Sequence, residues 1–139
     1  MSETSIITCT IVPEYQRVAV SSALFGARFP FAIEPAIFDF ARDLSDDYKG
    51  GCWDFYALEN GGFFMCPRSP ERFRVESPNG NNANMSQEAF GIAVCLFAYS
   101  NLSFSRDESL FEMVSEAFHS LREYALEHPE AGDILRIID

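Results

Sequence analysis

Lysine is almost missing from this chain of 139 residues: Lys49 stands alone beside nine arginines. Histidine is limited to His119 and His128, tryptophan to Trp53, and no two of the four cysteines form a C-x-x-C pair. Neither G-x-G-x-x-G nor G-x-x-x-x-G-K-[ST] occurs, so no phosphate-cradling loop is encoded. The absence of G-x-S-x-G and of H-E-x-x-H removes the commonest hydrolase and zinc-protease signatures. The longest unbroken apolar run, Ile92 to Tyr99, is far shorter than the ~20 residues needed to cross a bilayer. Met1 to Thr8 lacks the basic start and apolar stretch of an export signal. These absences predict a cytoplasmic protein with reduced cysteines, no metal, no cofactor and no catalytic residue.

What is present is acid and phenylalanine. Twenty-one acidic residues against ten basic ones give a net charge of −11. A chain so charged is repelled by phosphate backbones and anionic lipids, so neither nucleic acid nor membrane is an expected partner. The negative charge concentrates in residues 33–66 (seven acids, two bases) and 105–139 (nine acids, three bases). Arginine, rather than lysine, beside so many carboxylates suggests forked pairs that hold structure together. The 47% hydrophobic content, with 14 Phe, excludes a disordered chain and supplies a core without disulfides.

The periodicities give an α+β chain forming one compact domain. Ile6 to Val12 reads as an edge strand or arm, and Glu14 to Phe25 as a helix closed by Gly26. Ile33, Ala36, Ile37, Phe40, Ala41 and Leu44 recur at helical spacing, with Asp39, Asp43, Asp46 and Asp47 forming an acidic face near Pro35's helix. Cys52 to Leu58 and Phe63 to Cys66 read as a hairpin. Asn60-Gly61 would form a type I′ turn, which sets Cys66 opposite Phe55 and puts Cys52 on the other face, so a 52–66 disulfide is not expected. Pro67 and Pro70 end the hairpin, and Phe73 to Ser77 is expected to add a third strand. Pro78 to Asn82 reads as loop. Ser86 caps an all-round apolar helix over 87–101, and Ser105-Arg106-Asp107-Glu108 has the spacing of a capping box. That box opens a helix whose core face is Leu110, Phe111, Val114, Phe118, Leu121 and Ala125. His128-Pro129 closes it, and Ile134 to Ile138 docks as a short segment. The sum is about three antiparallel strands packed by about four helices.

Chemistry-bearing residues are few. His119 has Glu116 and Glu123 one turn away, but a helical di-iron half-site needs a second copy, and none exists; His119 reads as an exposed residue with ion-pairing neighbours. His128 suits a helix end. Asp54 is the outlier, a carboxylate among strand aromatics that requires a partner or exposure.

One composite stretch is more specific. Tyr48-Lys49-Gly50-Gly51-Cys52-Trp53-Asp54-Phe55-Tyr56-Ala57-Leu58-Glu59-Asn60-Gly61-Gly62-Phe63-Phe64-Met65-Cys66-Pro67 resembles the hallmark of the ArdB/KlcA antirestriction family, Y-x-G-G-x-W followed by an aromatic pair, L-x-N-G-G, aromatics, Met and Pro. His128-Pro129-Glu130-Ala131-Gly132 and Ile138-Asp139 resemble that family's C-terminal end. The resemblance implies a single antirestriction-type domain over 1–139, non-enzymatic, carried by mobile elements such as plasmids. It also implies suppression of type I restriction–modification, with restriction affected more than modification. The partner would be the type I enzyme or a host factor on which it depends. The signature positions are Gly50, Gly51, Trp53, Asp54, Tyr56, Asn60, Gly61 and Gly62, and the resemblance assigns none of them a role. Three alternatives stand beside a globular interaction protein: an acidic DNA mimic, an adaptor without antirestriction activity, and an enzyme with a pocket at Asp54, Tyr56 or His119. Mimicry is short of charge, because at one charge per ~1.7 Å of duplex axis a net −11 matches only about six base pairs.

Overall fold

The computed structural model describes residues 6–69 and 71–139. Residues 1–5, read above for an export signal, and Pro70, read as a strand stop, lie outside them. The elements run β1 (Cys9–Ile11), α1 (Arg17–Phe25), α2 (Glu34–Leu44), β2 (Trp53–Leu58), β3 (Phe63–Pro67), β4 (Phe73–Glu76), β5 (Asn82–Met85), α3 (Gln87–Leu102), α4 (Glu108–Leu126) and α5 (Ala131–Ile138). A 3-10 turn at Glu14–Gln16 precedes α1, and a π-helical turn at Phe29–Ile33 runs into α2. Two antiparallel sheets result, one of order β1-β2-β3 and one of β4 with β5. The expected α+β class stands, with the edge strand where Ile6 to Val12 was read.

The hairpin differs from its expected register by one residue. Asn60 has no positive φ, so the type I′ turn does not form. Instead the Gly61 N–H donates to the Leu58 carbonyl at 3.0 Å, and the Leu58 N–H to the Gly62 carbonyl at 2.9 Å. Gly61, at φ +91°, provides the left-handed step that ends a three-residue loop. Asp54 therefore faces Cys66 and Tyr56 faces Phe64. One face carries Trp53, Phe55 and Phe63; the other carries Asp54, Tyr56, Phe64 and Cys66. Cys52 and Cys66 thus share a face, contrary to the expected alternation. They remain unbonded, Cys52 exposed and Cys66 buried.

The Trp53–Phe55–Phe63 face is covered by α1, the π turn and α2. Phe63 is fully buried and meets Phe25, Phe29 and Phe55 edge-on, with centroids 5.4–5.8 Å apart. On the opposite face Tyr124 of α4 stacks on Phe64, which stacks on Tyr56.

α3 does something the periodicity did not reveal: it lies along the free edge of β3. The Tyr99 hydroxyl donates to the Phe63 carbonyl at 2.7 Å, and the Met65 N–H donates to Cys95 Sγ at 3.5 Å. A helix thereby satisfies backbone groups that would otherwise seek another strand. This explains the main topological correction. Phe73–Glu76 does not add to the hairpin, because the β3 edge is taken; it pairs with Asn82–Met85, a strand absent from the sequence expectation, in which Asn82 ends the loop and Ala83 to Met85 have no assignment. Only Met85 of that polar strand is buried, so composition gave little sign of it.

Two helix details also change. The N-cap of α4 is Asp107, whose Oδ1 accepts from the Leu110 N–H at 3.2 Å; Ser105 accepts from the Asp107 N–H instead. Phe111 points outward, and Ala117 takes a core position that it was not assigned. The C-terminal segment is a fifth helix, burying Ile134 and Ile137.

Burial raises the Cys66 thiol well above its ordinary value and the Cys95 thiol to about 12. Brief iodoacetamide treatment of the native protein at mildly alkaline pH should therefore label Cys52 and spare Cys66 and Cys95, which react only after unfolding. Peptide mass mapping of the alkylated sites checks this.

Candidate functional site

The signature residues divide between anchoring and packing. Gly50 and Gly51 form the exposed link from α2 to β2. Trp53 is buried, donates from Nε1 to the Tyr48 hydroxyl at 2.9 Å, and meets Phe38 edge-on. Asn60 fixes the hairpin tip to α4: its Nδ2 donates to the Ser120 carbonyl at 2.9 Å and to Glu123 at 3.1 Å, while its Oδ1 accepts from the Gly62 N–H. Gly62 is needed for close approach, since a Cβ there would lie 2.9 Å from Leu58 Cδ1 and 3.0 Å from Ser120 Cβ. Asn-Gly-Gly is thus a latch between sheet and helix.

Asp54 has the partner its setting demands. Arg68 donates to Oδ1 from Nε at 3.1 Å and from Nη2 at 2.7 Å. Arg17 approaches the same carboxylate at 3.7 Å, lies 4.7 Å over the Phe55 ring, and donates to the Trp53 carbonyl at 2.8 Å. Arg17 therefore ties the start of α1 to β2, a role no local spacing indicated.

Tyr56 opens onto a polar face that sequence reading did not assemble. Cys9 and Ile11 from β1 share this side of the sheet, Tyr124 closes it, and the Glu88–His128 pair (2.7 Å) lies at its margin. Burial, with the nearby carboxylates Asp54 and Glu88 adding to it, raises the Tyr56 hydroxyl to about 12. His128 Nδ1 accepts from the Glu130 N–H at 3.0 Å, which leaves Nε2 to donate to Glu88. These partners are forty residues apart in sequence, with no motif joining them. His119 is elsewhere: it is exposed on α4 and edge-on to Phe118, away from Asp54 and Tyr56. Neither Glu116 nor Glu123 pairs with it among the described residues, and no group of three possible metal ligands occurs among them.

The acidic set is only partly brought together. Asp43, Asp46 and Asp47 join Glu76, Arg74 and Asn82 around a groove of about 520 Å³ between the end of α2 and the second sheet. Asp39 lies outside it and pairs with Arg42 on its own helix. Arg74 occupies the groove as its own cation, gripping Asp47 through side chain and backbone N–H, and holds that carboxyl well below the usual range.

Further arginine clamps join Arg28 to Asp107, Arg72 to Glu130 and Arg136 to Asp133. Glu130 sits at a junction, also accepting from the Ser86 N–H. Burial works against its charged form, but the Ser86 and Arg72 hydrogen bonds outweigh this and lower its value. A carboxylate depressed by folding stabilises above its unfolded value, 4.5, and that contribution is lost as pH falls through the folded value. Glu130→Gln should accordingly lower the melting temperature most near neutrality, with the difference shrinking below about pH 4.5. Thermal unfolding of both proteins across the acid range measures it.

Residues 46–139 match the family model described as antirestriction protein. The antirestriction protein KlcA of Escherichia coli is 33% identical over 135 residues, covering 96% of this chain and 95% of KlcA. The chain belongs to the antirestriction protein family. The chain is also similar to the uncharacterized protein YafX of Escherichia coli strain K12, 46% identical over 138 residues, with 96% of this chain and 88% of YafX covered. A solved structure superposes with a TM-score of 0.88 at 34% identity, covering 100% of this chain and 99% of the other. It comes from work on the KlcA and ArdB proteins, described as having a novel fold and antirestriction activity against Type I DNA restriction systems in vivo but not in vitro. The latch, the Asp54 clamp and the helix-covered sheet edge are thus parts of an antirestriction fold.

Proposed function

We propose that this protein suppresses type I restriction in cells through protein contacts made by its surface, without catalysis and without imitating DNA. Its partner is the type I enzyme or a host factor that the enzyme depends on, which places its action in the cytoplasm. The fate of its carboxylates carries this reading. Asp39, Asp47, Asp54, Asp107, Glu130 and Asp133 are each engaged by an arginine, so the negative charge is interrupted by cations. A phosphate mimic needs the opposite, a regular and unneutralised row. The in vivo but not in vitro activity of the KlcA and ArdB proteins agrees with an action that needs more than the purified enzyme. Of the residues singled out in the sequence, the hairpin set anchors and packs the scaffold that carries the surface. Among the described residues, Asp43 and Asp46 are the members of the acidic set that no arginine engages, and they supply long-range attraction to a basic partner.

Unmodified phage should plate more efficiently on a type I restricting host that expresses this protein than on the same host without it. The purified protein should leave DNA bound to the purified enzyme. Unchanged plating would overturn the reading, and salt-sensitive competition with DNA in vitro would replace it with mimicry.

A further inference from the structure

A second groove, of about 430 Å³, runs between the end of α1, the hairpin tip and the first half of α4. The partly exposed Leu24 and Met113 give it an apolar lining, with the buried rings of Phe25 and Phe63 behind them, and Glu112 and Glu116 stand on the α4 side. The wall opposite is the hairpin tip, Asn60 and Gly61, held rigid by its latch to Ser120. Both carboxylates are exposed, and among the described residues neither has an ion-pair partner. Standing one helical turn apart with the same sign, they repel each other. The acidic groove beside the second sheet differs in the feature that matters most, because Arg74 already fills the cationic role there. This one has acid, apolar surface and, among the described residues that line it, no cation.

That combination fits a long cationic side chain, whose methylene stem seeks apolar surface while its head seeks carboxylate. We propose that this groove docks a Lys- or Arg-bearing segment of the protein partner, with the stem against Leu24 and Met113 and the cation between Glu112 and Glu116. The assignment rests on the antirestriction reading above and adds the contact surface to it. Nucleic acid is the wrong sign for such a site, and an uncharged apolar segment would leave both carboxylates unanswered.

The test compares charge reversals in the restricting host: Glu112→Lys with Glu116→Lys in this groove, Asp43→Lys with Asp46→Lys in the other, and Glu71→Lys with Glu127→Lys, exposed residues that line neither groove. Glu112→Gln with Glu116→Gln removes the charge without reversing it. Thermal unfolding of each variant establishes that it is folded. Placing two cations where a cation must dock should cut protection about tenfold or more, since like-charge contacts across an interface are strongly unfavourable. The glutamine pair should lose less, and the Glu71/Glu127 reversal should protect like the wild type. A folded Glu112/Glu116 reversal that protects fully overturns the groove while leaving the antirestriction reading intact. Equal loss in the Glu71/Glu127 control overturns it as well, by reducing the effect to overall charge. Loss confined to the Asp43/Asp46 pair moves the docking site to the other groove. If the wild type itself gives no protection, both the reading and the groove fall.

Discussion

Gly91→Ala should leave little folded protein at physiological temperature, although alanine is the better helix former. Gly91 lies inside α3, where glycine ordinarily costs about 1 kcal/mol relative to alanine. Here the methyl group has nowhere to go. An ideal Cβ would fall 2.3 Å from Cys66 Cβ, 2.5 Å from the Met65 carbonyl oxygen and 2.7 Å from Cys66 Cα. Two of those three atoms are backbone of β3, which is paired to β2 on its other edge and cannot swing aside. Relief requires α3 to withdraw, and withdrawal breaks the bond from the Tyr99 hydroxyl to Phe63. Overpacking of this kind costs about 3 kcal/mol or more, well beyond the propensity gain. A melting temperature lower by roughly 10 °C, or insoluble expression, is the expected result. A melting curve equal to that of the wild type would mean that the helix does not approach the strand so closely.

Phe63→Ala should be comparably damaging for the converse reason. Its fully buried ring is surrounded by Phe25, Phe29 and Phe55, one from α1, one from the π turn and one from β2. Removing it opens a cavity where three elements meet, and the lining is too well fixed to collapse. Losses of about 3–5 kcal/mol are usual for a buried Phe→Ala change. Phe63→Leu keeps most of the volume but not the edge-to-face geometry, and should cost about 1–2 kcal/mol. Chemical denaturation of the pair separates cavity from geometry; equal losses would remove any special part for the ring.

The helices were legible because each announces itself locally. Ile33 to Leu44 has the stripe, Pro35 sits in its first turn, and Ser86 does cap α3 by accepting from the Ala89 N–H at 3.2 Å. The hairpin was legible in outline, but not in register, since Asn-Gly is compatible with more than one loop and only the observed φ angles choose between them. The fate of Phe73–Glu76 was hidden for a different reason. Whether a strand can join an edge depends on what else covers that edge, and the coverage comes from Tyr99 and Cys95, some thirty residues further on. At the site, the sequence singled out Asp54 and demanded a partner for it, yet could not name Arg17 or Arg68. The acidic set was visible as composition, but which of its members are neutralised depends on arginines from other elements. In the sequence Glu116 stands out only as a neighbour of His119, and Glu112 belongs to an ordinary wet helix face; only the hairpin tip opposite turns them into one side of a groove.

The order of the chain gives the capped strand edge a temporal side. β3 ends at Pro67, whereas the helix that shields it is finished only at Leu102. About 35 residues must be added in between, roughly 2–7 s of ribosomal elongation at ~5–20 residues per second. The same delay separates the emergence of the Phe-rich ribbon, its outer amides bare, from the emergence of the helix that covers them. Nascent chains crowded on one messenger are then at their most adhesive, and a chaperone that holds this stretch would do more for yield than any later assistance.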